Sequence, residues 1–160
     1  MTVINEDFYS VSLEGAFDAV CYWDGFGVGS DEDQRRLFER IAGWLTPTGS
    51  ALLDIGTPWY AASADGRGWT VGKAERQYSF DADGCRWEDT WWPIGHPEQA
   101  VKQSTRCYSP ADLRLVLADT GLELRHVEPG GTMDWEAGKW LPSVPLKQSM
   151  KYVAQLCRVG

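Results

Sequence analysis

The chain has 160 residues, enough for one ordinary domain with its own core, and its 43% hydrophobic and 24% charged content is that of a soluble globular protein. A net charge of −8 with no lysine- or arginine-rich run excludes a phosphate-gripping face for nucleic acid and argues equally against an anionic membrane surface. No stretch approaches the roughly 20 apolar residues of a spanning helix, and Met1-Thr-Val-Ile-Asn-Glu-Asp7 is no secretory signal, so a cytoplasmic location is expected.

In chain order, Thr2-Val-Ile4 is a short apolar run ended by Asn5-Glu-Asp7. Phe17–Trp23 is near-continuously apolar, the pattern of a strand buried on both faces of a mostly parallel sheet. After Gly25-Phe-Gly27-Val-Gly29, Ser30 predicts a helix cap, with Asp33 three residues on and Asp31 and Glu32 in the positive first turn. Leu37, Ile41 and Leu45 recur on one helical face beside Phe38 and Trp44, which places Trp44 in the core; Arg35, Arg36 and Arg40 read as a solvated face. Thr46-Pro-Thr-Gly49 stops the helix, and Ser50–Ile55 is the next strand. Strand, helix and strand with short links form a right-handed crossover, so these two strands are adjacent and parallel.

The pattern then changes. Arg76–Asp81 alternates, Asp81-Ala-Asp-Gly84 is a hairpin turn, Cys85–Trp92 returns, and Lys102–Tyr108 adds a third strand after the break at Pro93–Pro97. This predicts an antiparallel β-meander inserted over about 74–108. Ser109, Pro110 and Asp112 supply the cap, first-turn proline and acidic third position of a second helix, which ends at Thr120-Gly121. Leu122–Val127 and Ser149–Val159 are strands, separated by a proline- and glycine-rich stretch. The fold class is α/β, in a single domain over 1–160.

Four cysteines (Cys21, Cys85, Cys107, Cys157) show no metal spacing and read as free thiols, with Cys85 and Cys107 facing each other on neighbouring strands. With His96 and His126 the only histidines, no zinc set or histidine-based triad is expected. The other tryptophans, Trp59, Trp69, Trp87, Trp91, Trp92, Trp135 and Trp140 among them, lie in turn-rich or alternating segments, where they either line a pocket or pack an irregular subdomain. Gly25–Ser30 has the form of a dinucleotide phosphate cradle, with Asp54 as a ribose acid, and equally the form of a turn that needs positive φ.

A third reading of that loop comes from its neighbours. The sequence resembles the C-terminal portion of class I S-adenosylmethionine-dependent methyltransferases. Phe17-Asp-Ala-Val20 with Gly25-Phe-Gly27 is similar to the family's fourth strand and loop, and Leu45-Thr-Pro-Thr-Gly49 with Ala51-Leu-Leu-Asp54 to the following turn and fifth strand. Arg106-Cys-Tyr-Ser-Pro-Ala-Asp-Leu113 with Thr120-Gly-Leu122 resembles the helix before the final β-hairpin. The resemblance implies a truncated Rossmann-like fold with a mostly parallel sheet and a C-terminal antiparallel hairpin. It also implies S-adenosylmethionine as cofactor, held weakly or not at all by this chain alone, because nothing before Phe17 matches the family's glycine-rich first loop or its ribose acid. Val3-Ile-Asn-Glu-Asp-Phe8 resembles the end of the third strand, which makes Asp7 the counterpart of the acid at the adenine amino group and Phe8 an adenine neighbour. Trp23, Asp24 and Gly25 match the loop that lines cofactor and substrate.

The family's strand order, 3-2-1-4-5-7-6, leaves Phe17–Trp23 at an open edge. A second copy in a homodimer, a separately encoded N-terminal half, or Thr2–Ile4 folding into the vacancy are three ways to cover it. In relatives the inserted region covers substrate, which implies Trp59, Tyr60, Trp87, Trp91 and Arg106 as substrate contacts and Asp24, Asp89 and Tyr108 as the groups that handle protons. Alternation places Trp87, Asp89 and Trp91 on one strand face. Three functions stay open: methyl transfer to a small molecule by a truncated or split enzyme, a cofactor-independent cyclase or isomerase on the same scaffold, and a non-catalytic binding or regulatory subunit.

Overall fold

The computed structural model describes residues 2–160. Strand β1 (Phe17–Tyr22), helix α1 (Asp31–Trp44) and strand β2 (Leu45–Gly56) form the expected crossover, with β1 and β2 parallel from Ala19↔Ser50 to Tyr22↔Leu53. The register jumps from Phe17↔Leu45 to Ala19↔Ser50, so the predicted turn at 46–49 is absorbed as an irregularity within β2. Ser30 and Asp33 cap α1 reciprocally: the Asp33 carboxylate accepts the Ser30 N–H at 2.8 Å, and the Ser30 hydroxyl accepts the Asp33 N–H at 3.1 Å.

Those bonds from the Ser30 backbone and hydroxyl, joined by Arg36, pull the Asp33 carboxyl down to about 2. A folded value below the ordinary 3.8 means that the cap's contribution is complete above that pH and is lost as pH falls through about 2. Carboxyl NMR titration is expected to find a midpoint near 2 for Asp33 in the wild type, moving upward in Ser30→Ala; an unmoved midpoint would show that Ser30 is not the cause.

Helix α2 (Pro58–Ser63) follows β2 almost at once. Strands β3 (Gly68–Val71), β4 (Ala74–Asp81), β5 (Arg86–Pro93) and β6 (Val101–Arg106) form one antiparallel sheet in that order. The meander therefore has one strand more than expected, because β3 is only four residues long and too short to show alternation. Helix α3 (Pro110–Leu117), strand β7 (Leu122–Pro129), a small hairpin of β8 (Thr132–Asp134) and β9 (Lys139–Leu141), and strand β10 (Lys151–Arg158) follow. Strand β10 lies between β2 and β7, antiparallel to both, giving the order β1-β2-β10-β7. Only the β1–β2 pairing is parallel, so the sheet is mixed rather than mostly parallel.

Leu37, Phe38 and Ile41 of α1 and Leu113 and Leu117 of α3 pack with Leu53, Ile55, Tyr152 and Leu156 of the sheet in one core. The sheet's opposite face, which includes Leu52, Asp54, Val153, Gln155 and Cys157, is only half-buried. Strand β1 departs from expectation for the same reason. It reads as buried on both faces, yet it pairs on one side only, and Phe17 is 39% exposed with Ala19 and Cys21 also exposed. Thr2–Ile4 does not fill the edge: it forms no strand and Val3 is 80% exposed. Nor is Val3–Phe8 a strand end. Asp7 opens a turn, accepting the Tyr9 N–H on its carboxylate at 2.9 Å and the Val11 N–H on its carbonyl at 2.7 Å.

Two arginines read as solvated have structural work. Arg35 donates to the Val116 and Ala118 carbonyls at 3.2 and 2.8 Å, placing a cation at the negative end of α3. Arg40 donates to the Phe8 and Val11 carbonyls and lies 5.0 Å from the ring centre of Trp44, which is half-buried and packs against the main core. Arg36 alone of the three is exposed. The four cysteines are free, and the Cys107 N–H donates to the Cys85 carbonyl at 2.9 Å, so that pair does face across the sheet. No helix among the described residues is long and apolar enough to cross a membrane.

Candidate functional site

The glycine loop after β1 is a seam between the two sheets. The Gly27 N–H donates to the buried Gln34 side chain at 3.3 Å, and the Gly27 carbonyl accepts the Arg106 N–H at 2.8 Å. Arg86 adds bonds to the Gly27 and Gly29 carbonyls at 3.4 and 3.0 Å. A Cβ on Gly27, whose φ is +100°, would stand 2.3 Å from the Arg106 carbonyl oxygen. The glycine is there for close approach of β6, and its N–H is already engaged. The phosphate-cradle reading of this loop is thereby overturned.

Beside the seam, where β1 and β2 end and β10 begins, lies a cleft of about 140 Å³. Asp54 and Lys151 enter it from the mixed sheet, Asp24 from the loop after β1, and Arg76, Tyr78, Trp87 and Asp89 from the meander. The Lys151 ammonium donates to Asp24 Oδ1 at 2.6 Å and to Asp54 Oδ2 at 2.9 Å. Burial works against that charge, but the two carboxylates outweigh it and leave the Lys151 pKa above its ordinary value. Across the cleft Arg76 grips Asp89 with two nitrogens, its Nε standing 2.8 Å from Asp89 Oδ1. The same guanidinium lies over the rings of Trp69 and Tyr78, at 5.4 and 5.3 Å. Burial pushes the Tyr78 phenol up to about 12, so it stays protonated at neutral pH. The Trp87 indole N–H is buried without a partner among the described residues. Asp24 holds a φ of 59°, a left-handed conformation that aspartate tolerates better than most residues.

Among the residues singled out from the sequence, Asp24, Gly25, Trp87 and Asp89 meet in this cleft. Trp23 is 55% exposed and lies outside the lining. Phe8 packs on Tyr9 and Tyr22 at 4.3 and 5.5 Å between ring centres, while Asp7 is exposed and its carboxylate serves the turn. Tyr60 is buried 5.5 Å from the Trp87 ring, and Trp59 donates to the Ser149 carbonyl at 3.2 Å; neither reaches the cleft. Trp91 lines a separate groove with Val71 and Val101. Arg106 and Tyr108 are turned away from the cleft. The buried Tyr108 hydroxyl donates to Asp31 at 2.6 Å, and Arg106 Nε stands 3.3 Å from the same oxygen, so both fasten the first turn of α1. Burial, with the Asp31 contact behind it, holds the Tyr108 phenol far above its ordinary pKa, which leaves it a structural donor.

Sequence reasoning missed Lys151, Arg76 and Tyr78, and weighed Asp54 only as a ribose acid. Arg76 was findable: counting back from the expected Asp81–Gly84 turn puts Arg76 opposite Asp89, and although the turn lies at 82–85, so that Tyr78 stands opposite Asp89, Arg76 remains on its diagonal. Lys151 carries no such signal, since 97 positions separate it from Asp54.

No family model and no curated protein matches the sequence. Solved structures match its fold. A S-adenosylmethionine-dependent methyltransferase from Clostridium acetobutylicum ATCC 824 superposes with a TM-score of 0.71 at 12% identity, covering 97% of this chain and 63% of that one. The CcbJ methyltransferase from Streptomyces caelestis gives 0.72 at 16% identity, covering 97% and 62%. The fold is that of part of a S-adenosylmethionine-dependent methyltransferase. The glycopeptide N-methyltransferase MtfA, solved with S-adenosylmethionine bound, gives 0.57 at 16% identity, covering 97% and 59%. The chain thus spans about three-fifths of the length of the methyltransferases it matches.

As it stands, the cleft does not fit that cofactor. Small-molecule pockets run to about 300–1,000 Å³, and the cleft measures about 140 Å³. The glycine loop is closed by Gln34 and Arg106, and the Asp7 carboxylate is committed to its turn.

Proposed function

We propose that this chain forms the acceptor side of a methyltransferase for a small molecule, with the cofactor cradle supplied by an N-terminal half outside the described residues. The observation that carries this reading is a charged, well-built cleft at the ends of β1 and β2 beside a sheet whose β1 edge is unpaired and whose one face is only half-buried. A homodimer joined edge to edge through Phe17–Trp23 pairs β1 but leaves the face half-buried. A half that brings both strands and helices covers edge and face together, so we favour it.

S-adenosylmethionine, when bound, supplies an electrophilic methyl group. The chain's own part is to hold the acceptor atom in line and to take its proton. Asp24, the more exposed carboxylate with a single lysine partner, is assigned the proton; Asp89, gripped by Arg76, is assigned orientation. Calorimetry with S-adenosylmethionine is expected to show no binding at about 100 μM (roughly −5.5 kcal/mol) for the chain alone, and tighter binding once the N-terminal half is added. Asp24→Asn is expected to lower turnover of the mixture by about 100-fold. Equal turnover would remove the assignment. A cofactor-free cyclase or isomerase at the same cleft has the closed glycine loop in its favour, and it predicts turnover that S-adenosylmethionine leaves unchanged.

A further inference from the structure

A second cavity, of about 180 Å³, adjoins the cleft and shares Asp54, Met150 and Lys151 with it. It runs along the start of β10 to Trp140, with Val153 and the backbone of Gly130 and Gly131 completing it. Gly131 is what admits the indole: a Cβ there would stand 2.5 Å from the Trp140 ring and 2.4 Å from the Leu141 carbonyl oxygen. Trp140 itself keeps 50% of its surface free. The Lys151 ion pairs therefore stand between two spaces of opposite chemistry, one charged and one apolar.

The charged side has a preferred sign. Three carboxylates (Asp24, Asp54, Asp89) face two cations (Lys151, Arg76), and each cation is already hydrogen-bonded to a carboxylate. An incoming anion would have to break one of these pairs, whereas an incoming ammonium meets unspent acceptor oxygens and the Tyr78 and Trp87 rings. The apolar side has a preferred size. A dry cavity of roughly 150 Å³ accommodates benzene, so the slot suits one ring or a short alkyl chain.

Building on the methyl-acceptor reading above, we infer that the acceptor is an amine with an apolar arm, its nitrogen among Asp24, Asp54 and Asp89 and its arm beyond Lys151 against Trp140. Calorimetry on the chain as it stands tests this without any methyl transfer, using 2-phenylethylamine, ethylamine (no arm) and phenylacetate (the arm on an anion). 2-Phenylethylamine is expected to bind at least about tenfold tighter than either other probe. In Trp140→Ala its advantage over ethylamine is expected to vanish, and in Asp54→Asn its advantage over phenylacetate is expected to shrink. Equal binding of the three probes by the wild type overturns the inference, as does an undiminished arm preference in a folded Trp140→Ala. No heat from 2-phenylethylamine up to about 10 mM overturns it as well. Selective binding without turnover in the presence of the N-terminal half would sink the methyl-transfer reading alone. Efficient methylation of armless or anionic acceptors would sink this inference alone.

Discussion

Gly27→Ala is expected to cost about 3 kcal/mol or more and to lower Tm by about 6–12 °C. Two penalties combine. At a φ of +100° any side chain is strained, by about 1–3 kcal/mol. The new methyl would also stand 2.3 Å from the Arg106 carbonyl oxygen and 3.1 Å from its nitrogen, both backbone atoms that no rotamer change can move. Relief requires β6 to back away, which breaks the 2.8 Å Arg106–Gly27 hydrogen bond and pulls Arg86 from the same loop. Gly66→Ala is the matched control, with a φ of +73° and nothing within 4 Å, so it carries the conformational penalty alone. Thermal melts of both variants decide the matter: if Gly27→Ala melts no lower than Gly66→Ala, the two sheets are not locked at this seam.

Lys151→Met is the second large effect. The ammonium bridges Asp24 and Asp54, and its removal leaves the half-buried Asp54 beside Asp24 with no cation between them. A fully buried pair broken this way costs about 3–5 kcal/mol, and solvent at this cleft reduces that to about 1–2 kcal/mol. The pH dependence has a definite sign. The folded pKa of Lys151 lies above its ordinary 10.5, so its stabilisation is complete below that value and is lost as pH rises through the folded pKa. Urea melts are expected to show a constant gap between wild type and variant at pH 7–9 and a narrowing gap above 10.5. A gap that widens with rising pH would contradict the ion-pair account. Met150 beside it is the control, since Met150→Leu keeps the volume and touches no charge.

The elements that repeat a pattern over several turns were legible before any coordinates. The α1 stripe of Leu37 and Ile41 and the two Ser/Asp capping boxes declare themselves locally and stand where expected, while Leu45 opens β2 and the hairpin turn falls at 82–85, one residue later than it reads. Strand β3, helix α2 and the β8–β9 hairpin are too short for a period to show, and they form because neighbours hold them: Tyr60 on Trp87, Trp69 on Tyr78, Trp140 on Gly131. Burial of β1 was misjudged because hydrophobicity records what a strand can bury, not what is present to bury it. At the site, the meander's Trp87 and Asp89 followed from alternation, whereas Arg106 and Tyr108 shared the expected strand and turned to Asp31 instead. Lys151 was invisible because its partners come from strands far apart in sequence.

The position of β10 between β2 and β7 governs how the molecule is made. A chain emerging from the ribosome has β1, α1, β2 and the meander in hand while the inner edge of β2 is still waiting for its partner. The 97 positions from Asp54 to Lys151 take about 5–20 s to translate. Through that interval β2 offers Ala51, Leu53 and Ile55 to any other extended segment, which makes nascent chains the stage most prone to aggregate. Strand β10, translated after β1, β2 and β7, completes this sheet and delivers the lysine of the cleft, so a chain interrupted before Lys151 has neither.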